Sequence, residues 1–277
     1  MILGGCVVLF NPNEAVLHNI GSYLPILDEL VVVDNSTTKS PVAVELSHWD
    51  KVQYIDMKGN KGIASALNAG CSVLCEDGFD VALTMDQDSK FPLAEAEGII
   101  AHVEQLIESY ALVGLNFNAD GQHFDSDVTE VKYWITSGNF LSLDAFNTVG
   151  GFCDDLFIDY VDFEFGHRLK LAGKKLCYLN RFSLSHEIGS PIEIKLFGRI
   201  FYAMNHSPLR YYYRYRNSRY LYGSDPAFYG DKYIREILVN IPKMLLFEPK
   251  KGEKLRMIHR GLADGRRGHL GPYSECD

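Results

Sequence analysis

Residues 81–92 read VALTMDQDSKFP, an apolar strand that breaks into two carboxylates at alternate positions, Asp86 and Asp88. Alternate side chains of extended backbone share a face, and two carboxylates on one face repel unless a cation bridges them. Hard divalent ions such as Mg²⁺ or Mn²⁺ take oxygen ligands of this kind together with substrate phosphates. The competing reading is an Asx turn capping a helix that starts near Pro92. Three residues alone do not choose between the two; their position in the chain does.

Upstream, residues 2–10 form an apolar, β-branched run, closed by the turn Asn11-Pro12-Asn13 and followed by an amphipathic stretch from Glu14 to Leu27. Strand-like Glu29–Val33 and Val52–Ile55, helical Gly62–Cys75 and strand-like Asp80–Met85 continue the series. Downstream come a helix over Leu93–Tyr110 and strands over Ala111–Leu115, Val131–Thr136 and Lys174–Leu179. This alternation predicts an α/β fold with a mixed, mostly parallel sheet flanked by helices. From about Ile194 the pattern turns helical, so the expected division is a domain over residues 1–192 and a helical C-terminal one over 193–277. Ligands of such sheets bind at the carboxyl ends of the strands. Those ends carry Asn11-Pro12-Asn13, Asp34-Asn35-Ser36, Gly59-Asn60-Lys61-Gly62 and Asp86-Gln87-Asp88, a polar rim that suggests a nucleotide.

The net charge of -9 hides an asymmetry, because from Arg199 onward 15 Lys or Arg face 8 Asp or Glu. The acidic first part argues against nucleic acid. The basic, tyrosine-rich second part suits phosphate groups or a membrane surface, or else it is a solvated helical face. The six cysteines form no CxxC pair and read as reduced thiols. The apolar run Ile237–Phe247 is shorter than the roughly 20 residues of a membrane span. With an N-terminus that reads as a strand, the expected place is the cytoplasm.

Further candidates lie beyond the first half. Residues 157–176, FIDYVDFEFGHRLKLAGKKL, hold Asp159, Asp162 and Glu164 at the start of a helix. One of these acids suits an N-cap, and Asp159 is best placed for it. Thr136-Ser137-Gly138-Asn139 is a turn that either only connects or lies under a ligand. Trp134 reads equally as a sugar-stacking ring or as core. His186, just after a strand, reads as a structural histidine or as a ligand of metal or diphosphate. Arg210, Arg214 and Arg216 alternate with tyrosines at spacings that one helix face cannot gather.

Taken in order, VVLFNP, VVVDNS, GNKGIASALNAG, TMDQDS, TSGNFLSLDAFNTVGGF, LFIDYVDFEFGHRLKLAGKKL, SHEIG, RYYYRYRN and IHRGLADGRRGHLG run from Val7 to Gly271. In that order and spacing the chain resembles the GT-A fold inverting glycosyltransferases of family two, and within them the bacterial rhamnosyltransferases. The resemblance implies a sugar transferred from a nucleoside diphosphate donor, L-rhamnose from dTDP-L-rhamnose, to a cell-surface polysaccharide precursor. The acceptor would be lipid-linked or an oligosaccharide, with peripheral contact at the inner face of the cytoplasmic membrane. It implies donor binding by Asp34, Asn35, Asn60, Lys61, Gly62 and Asp86, and by Arg210, Arg216 and Asn217 on the diphosphate side. Ser137, Gly138 and Trp134 would meet substrate, Asp88 and His186 would hold Mg²⁺ or Mn²⁺, and Asp162 would be the general base, with Asp159 its rival. Arg214 and Arg219 would then be surface charges. A galactofuranosyltransferase using UDP-galactofuranose shares much of this pattern. A catalytically silent glycan-binding module would be expected to lose Asp88 or Asp162, and a nucleotidyltransferase would want a glycine-rich basic loop where Asn11-Pro12-Asn13 stands.

Overall fold

The structure is a computed structural model and describes residues 1–117, 126–186, 192–196 and 199–274. The chain divides into two compact units, one of Met1–Asp154 with Val161–Glu187, the other of Asp155–Tyr160 with Ile188–Asp277. The second unit therefore takes a hexapeptide from the middle of the first.

The first unit opens with β1 (Leu3–Leu9), α1 (Ala15–Gly21), β2 (Glu29–Asp34), α2 (Pro41–Leu46), β3 (Val52–Asp56), α3 (Ile63–Glu76) and β4 (Val81–Asp86). It continues with β5 (Ser89–Lys90), α4 (Ala96–Leu106), β6 (Leu112–Phe117), β7 (Val128–Glu130), β8 (Asn139–Ser142), α5 (Leu143–Val149), α6 (Val161–Leu171) and β9 (Leu176–His186). The sheet order is β3-β2-β1-β4-β8-β6-β9-β5, with β7 on β9. The β3-β2-β1-β4 pairs are parallel, while β8 runs antiparallel to both β4 and β6. Parallel strands between helices are buried on both faces and so read as continuous apolar runs, and every residue of β1 is buried. Gly70 of α3 is required by close approach, since a Cβ there would strike the Cys6 sulfur.

The sequence reading differs from the structure in places. Val131–Thr136 is no strand: the Asn139 carboxamide donates to the carbonyls of Ile135 and Ser137, and Thr84 Oγ1 donates to Thr136 O at 2.6 Å, which holds a turn. The β-branched and aromatic residues of Val131-Lys132-Tyr133-Trp134-Ile135-Thr136 imitate a strand in composition. The helix expected from Leu93 begins at Ala96, and α2, started by Ser40 accepting from Ala43 N at 3.1 Å, was not foreseen.

The second unit holds an antiparallel hairpin, β10 (Ile192–Leu196) and β11 (Arg199–Ala203), where the sequence reading has helix. Strict alternation in Ile192-Glu193-Ile194-Lys195-Leu196 is the strand signal there. Then follow α7 (Pro208–Ser224), α8 (Pro226–Arg235), a π turn (Glu236–Asn240), α9 (Ile241–Phe247) and α10 (Lys251–Arg267). Cβ atoms at Gly261 and Gly265 of α10 would strike the α7 carbonyls of Tyr212 and Arg216, so these two glycines let the helices close on each other. Between them lie charged groups almost without solvent. Lys254 Nζ meets Glu248 at 2.8 Å, both side chains 2% exposed, and the Tyr211 hydroxyl donates to the same carboxylate at 2.9 Å.

Two outcomes follow for this unit. Lys254→Met leaves Glu248 buried without its cation and lowers stability by about 3 kcal/mol, read from urea unfolding; a change within the error of the fit contradicts the pairing. Burial, with Arg210 and Arg214 nearby, lowers the folded pKa of His206 to about 4, against an unfolded value near 6.5. The unfolded chain therefore binds the proton first, and stability falls as pH drops from about 6.5 to about 4. His206→Asn flattens the melting temperature across that window, and an unchanged pH profile contradicts this.

Candidate functional site

Register places the polar rim. In the ladders Leu9 lies opposite Asp34, Val8 opposite Asp86 and Asp34 opposite Asp56, so of the four neighbouring parallel strands β3, β2 and β4 end in carboxylates at the same end of the sheet. Asp34 is buried; its Oδ1 accepts from Ser36 N at 3.0 Å and its Oδ2 from the Tyr54 hydroxyl at 2.7 Å. Burial and this bond push the Tyr54 phenol well up. Asn35 ties two loops together: Nδ2 donates to Asn60 Oδ1 at 3.2 Å and to Gly62 O at 3.1 Å, while Oδ1 accepts from Lys61 N at 2.7 Å. Asn60 Oδ1 also accepts from Gly62 N at 3.0 Å, and Gly62 at φ 89° leads directly into α3. Thus Asp34, Asn35, Asn60, Lys61 and Gly62 are gathered in one bonded cluster ahead of the N-terminus of a 14-residue helix. Such a terminus attracts anionic groups.

At the end of β4 the side chain of Gln87 turns back to β1, accepting from Phe10 N at 2.9 Å and donating to Phe10 O at 3.2 Å. Asp86 and Asp88 flank it, the former half-buried and the latter exposed. The antiparallel β5–β9 ladder sets the backbone of His186 opposite Ser89, one residue from Asp88. The side chain of His186 and residues 187–191 lie outside what is described. Among the described residues no three His, Cys, Asp or Glu side chains gather as a metal site. Mg²⁺ and Mn²⁺ do not need such a cage. One or two carboxylates suffice when substrate phosphates and water fill the other positions, so the donor set of Asp86 and Asp88 fits either ion.

Beneath this loop Ser137, 1% exposed, accepts from Asp86 N at 3.0 Å and donates to Ser89 Oγ at 2.7 Å. Gly138, at φ 71°, donates its N–H to Thr84 O at 2.8 Å. The turn is thus the support of the Asp86 loop. Trp134 is a correction to the sugar-stacking option: it is 2% exposed, its ring lies 6.0 Å from Phe165, and a Cβ on Gly166 would strike it. It is core.

Of the acids at α6, Glu164 is held by Arg168 through two bonds, 2.5 Å from Nε and 2.8 Å from an Nη. Arg168 also donates to Val149 O and Gly151 O at 2.6 and 2.7 Å, locking α6 onto the end of α5. Asp162 stands in the first turn of α6, half-buried, where the helix N-terminus favours its charge. Its field adds to burial in raising the Tyr178 phenol, whose oxygen accepts from Ile135 N at 3.0 Å.

Asp159 belongs to the other unit and does not cap α6. Its carboxylate takes two bonds from Arg210, both 3.2 Å, and its backbone has φ 62°. Phe157 and Tyr160 are also left-handed, at φ 65° and 67°, a costly conformation for such side chains. The carbonyls of this strained hexapeptide are gripped from α7. Asn217 Nδ2 donates to Leu156 O, Ile158 O and Asp159 O, each at 2.8 Å. Arg216 donates to Asp155 O at 3.0 Å, to Leu156 O at 2.9 Å and to Gly271 O, with both side chains 0% exposed. This corrects the expectation that Arg216 and Asn217 present their polar groups to a diphosphate. Arg214 is no surface charge either; it pairs with the buried Glu236 at 2.7 Å, which Tyr160 also reaches at 3.2 Å. Tyr54, Thr84, the bridge from Gln87 to Phe10 and the 155–160 carbonyl grip were missed by sequence reasoning. Only Tyr54 left a signal, as a polar-tipped aromatic two residues before the end of a strand.

Comparison with known proteins agrees with this geometry. Residues 6–155 match the family model for Glycosyl transferase family 2. The dTDP-rhamnosyl transferase RfbF of Shigella flexneri is 27% identical over 96% of this chain and 95% of its own. GalNAc-T7, solved with UDP, GalNAc and Mn²⁺, superposes with a TM-score of 0.61 at 10% identity; 96% of this chain covers 56% of that one, about half its length. Staphylococcus aureus TarS 1-349, in complex with UDP-GlcNAc, gives 0.57 at 15% identity, over 96% and 80%. The shared architecture is the expected GT-A one.

Asn217→Ala removes the donor to three carbonyls of the strained hexapeptide. It lowers stability by about 2 kcal/mol and speeds chymotryptic cleavage at Leu156, Phe157 or Tyr160. An unaltered unfolding midpoint together with unaltered cleavage contradicts the grip.

Proposed function

The chain belongs to glycosyl transferase family 2, and on that premise we propose that this glycosyltransferase is an inverting enzyme that moves L-rhamnose from dTDP-L-rhamnose to a polysaccharide precursor. The similarity to a dTDP-rhamnosyl transferase along nearly the whole of both chains is the observation that carries the donor assignment. The acceptor is proposed to be a lipid-linked or free oligosaccharide hydroxyl, met at the inner face of the cytoplasmic membrane. No helix of the described residues is long and apolar enough to cross a membrane, which is compatible with peripheral contact.

In this reading Asp34 and the Asn35-Asn60 cluster hold the nucleoside, and the α3 N-terminus with Lys61 and Gly62 lies toward the diphosphate. Ser137 and Gly138 shape the floor below the sugar. Asp86 and Asp88, with His186, would hold Mg²⁺ or Mn²⁺, which when bound neutralises charge on the departing diphosphate. The acceptor oxygen forms its bond to the anomeric carbon as the bond to the diphosphate oxygen breaks, and the acceptor proton passes to the Asp162 carboxylate. Asp162 is preferred because, in the resembled family, the base stands two residues before a second acid and six before an arginine, the spacing of Asp162, Glu164 and Arg168.

Donor turnover with dTDP-L-rhamnose and UDP-galactofuranose tests the reading, with slow hydrolysis as readout when no acceptor is supplied. The expected result is preference for dTDP-L-rhamnose and a loss of roughly 100-fold in turnover for Asp162→Asn, with nucleotide affinity kept. Preference for UDP-galactofuranose overturns the donor assignment, and a larger kinetic loss in Asp159→Asn than in Asp162→Asn overturns the base.

A further inference from the structure

The segment formed by α8, the π turn and α9 is apolar on both of its sides. Its inner side is accounted for: Tyr229 and Met244 are buried, and Ile237, Ile241 and Leu245 pack against the cluster of Tyr211, Tyr215, Met244 and Ile258. Its outer side is not. Ile234 is 55% exposed, Leu238 69%, Val239 49%, Leu246 68% and Phe247 39%. Ile234, Leu238, Pro242 and Leu246 recur every fourth residue. In a regular α-helix that spacing drifts by about 40° per step. The π turn at Glu236–Asn240, with its wider i to i+5 closure, interrupts that drift between Ile234 and Pro242, and all four residues are exposed. A helix that is apolar all round belongs against an apolar medium on every side, and a contiguous exposed patch of this sort marks an interaction surface.

The charges around the stripe say which medium. Arg235 follows Ile234 directly, Lys250 and Lys251 come three and four residues after Phe247, all three are exposed, and Lys243 stretches its amine to Tyr202 O at 2.8 Å. Two of the nearby acids do not offset them, because Glu236 and Glu248 are buried and paired inward with Arg214 and Lys254. Asp231 and Glu253 are the exposed acids of this stretch. Tyr202, 50% exposed on β11 and joined to α9 through Lys243, adds an aromatic of the kind that sits at a headgroup boundary. An apolar stripe with a cationic border is the pattern of a helix that lies in the surface of an anionic bilayer without spanning it.

We propose that the outer side of α8, the π turn and α9 docks this protein on an anionic phospholipid bilayer, with Ile234, Leu238, Val239, Leu246 and Phe247 in the acyl boundary and the flanking cations at the phosphates. The proposal rests on the functional reading only for the reason such docking is useful, which is access to a lipid-linked acceptor. A contact between two copies of the chain is the competing occupant.

The test is co-sedimentation of the full chain with vesicles of phosphatidylcholine and phosphatidylglycerol in equal amounts, at low and high salt and without any sugar nucleotide. The wild type binds at low salt and less at high salt, while Leu238→Glu/Leu246→Glu binds about tenfold or more weakly. Both positions are exposed, so the variant keeps its circular dichroism and its nucleotide affinity. Equal sedimentation of variant and wild type overturns the proposal, as does absence of wild-type binding at low salt. So does a wild-type dimer that the double variant splits in sedimentation velocity, since that assigns the stripe to a second copy. Donor turnover is measured separately, so failure of the rhamnosyl reading leaves the sedimentation result standing, and the reverse.

Discussion

The parallel register of β1 between β2 and β4 is the constraint on which the candidate site depends. It sets Asp34 beside Leu9 and Asp86 beside Val8, so two carboxylates from distant parts of the sequence finish on one edge. Val8 and Leu9 are successive, so the two carboxylates leave the sheet on opposite faces at that end, and a slip of one residue in either ladder would change this. Local bonds then hold the edge: Gln87 bridges β4 back to Phe10, Asn35 joins its loop to that of Asn60 and Gly62, and Ser137 supports Asp86 from below. The edge rests on backbone geometry first and on side-chain bonds second.

Residues 155–160 show a second kind of dependence. They belong by contact to the helical unit, yet run on in the chain into α6, whose first turn carries Asp162. Three left-handed, non-glycine residues would not persist there without compensation. Arg216 and Asn217 supply it from α7 by bonding successive carbonyls. The two glycines of α10 that permit close packing on α7 are part of the same arrangement. Buried cations of this unit thus serve the fold.

Much of the first unit was legible because parallel strands buried on both faces leave apolar runs, and the turns between them carry Asn, Asp and Gly. The cluster of Asp34, Asn35, Asn60, Lys61 and Gly62 was legible for the same reason, since the ends of such strands can be read off the chain. What failed to show was set by contacts distant in sequence. Trp134 looks alike as a sugar platform and as core until Gly166 and Phe165 are known to face it. Arg216 and Asn217 look like phosphate binders because nothing local announces the carbonyls of residues 155–160. The hairpin Ile192–Ala203 did leave a period of two, which the helical content after it obscured.

The central claim, that the β1-β2-β4 edge binds a nucleoside diphosphate with a divalent ion at Asp88, is tested most directly by calorimetric titration of dTDP with and without Mn²⁺. The account predicts affinity for the wild type that rises when Mn²⁺ is present, and loss of that Mn²⁺-dependent part in Asp88→Ala with the fold intact. An Asp88→Ala protein that binds dTDP with the same dependence on Mn²⁺ as the wild type would contradict it.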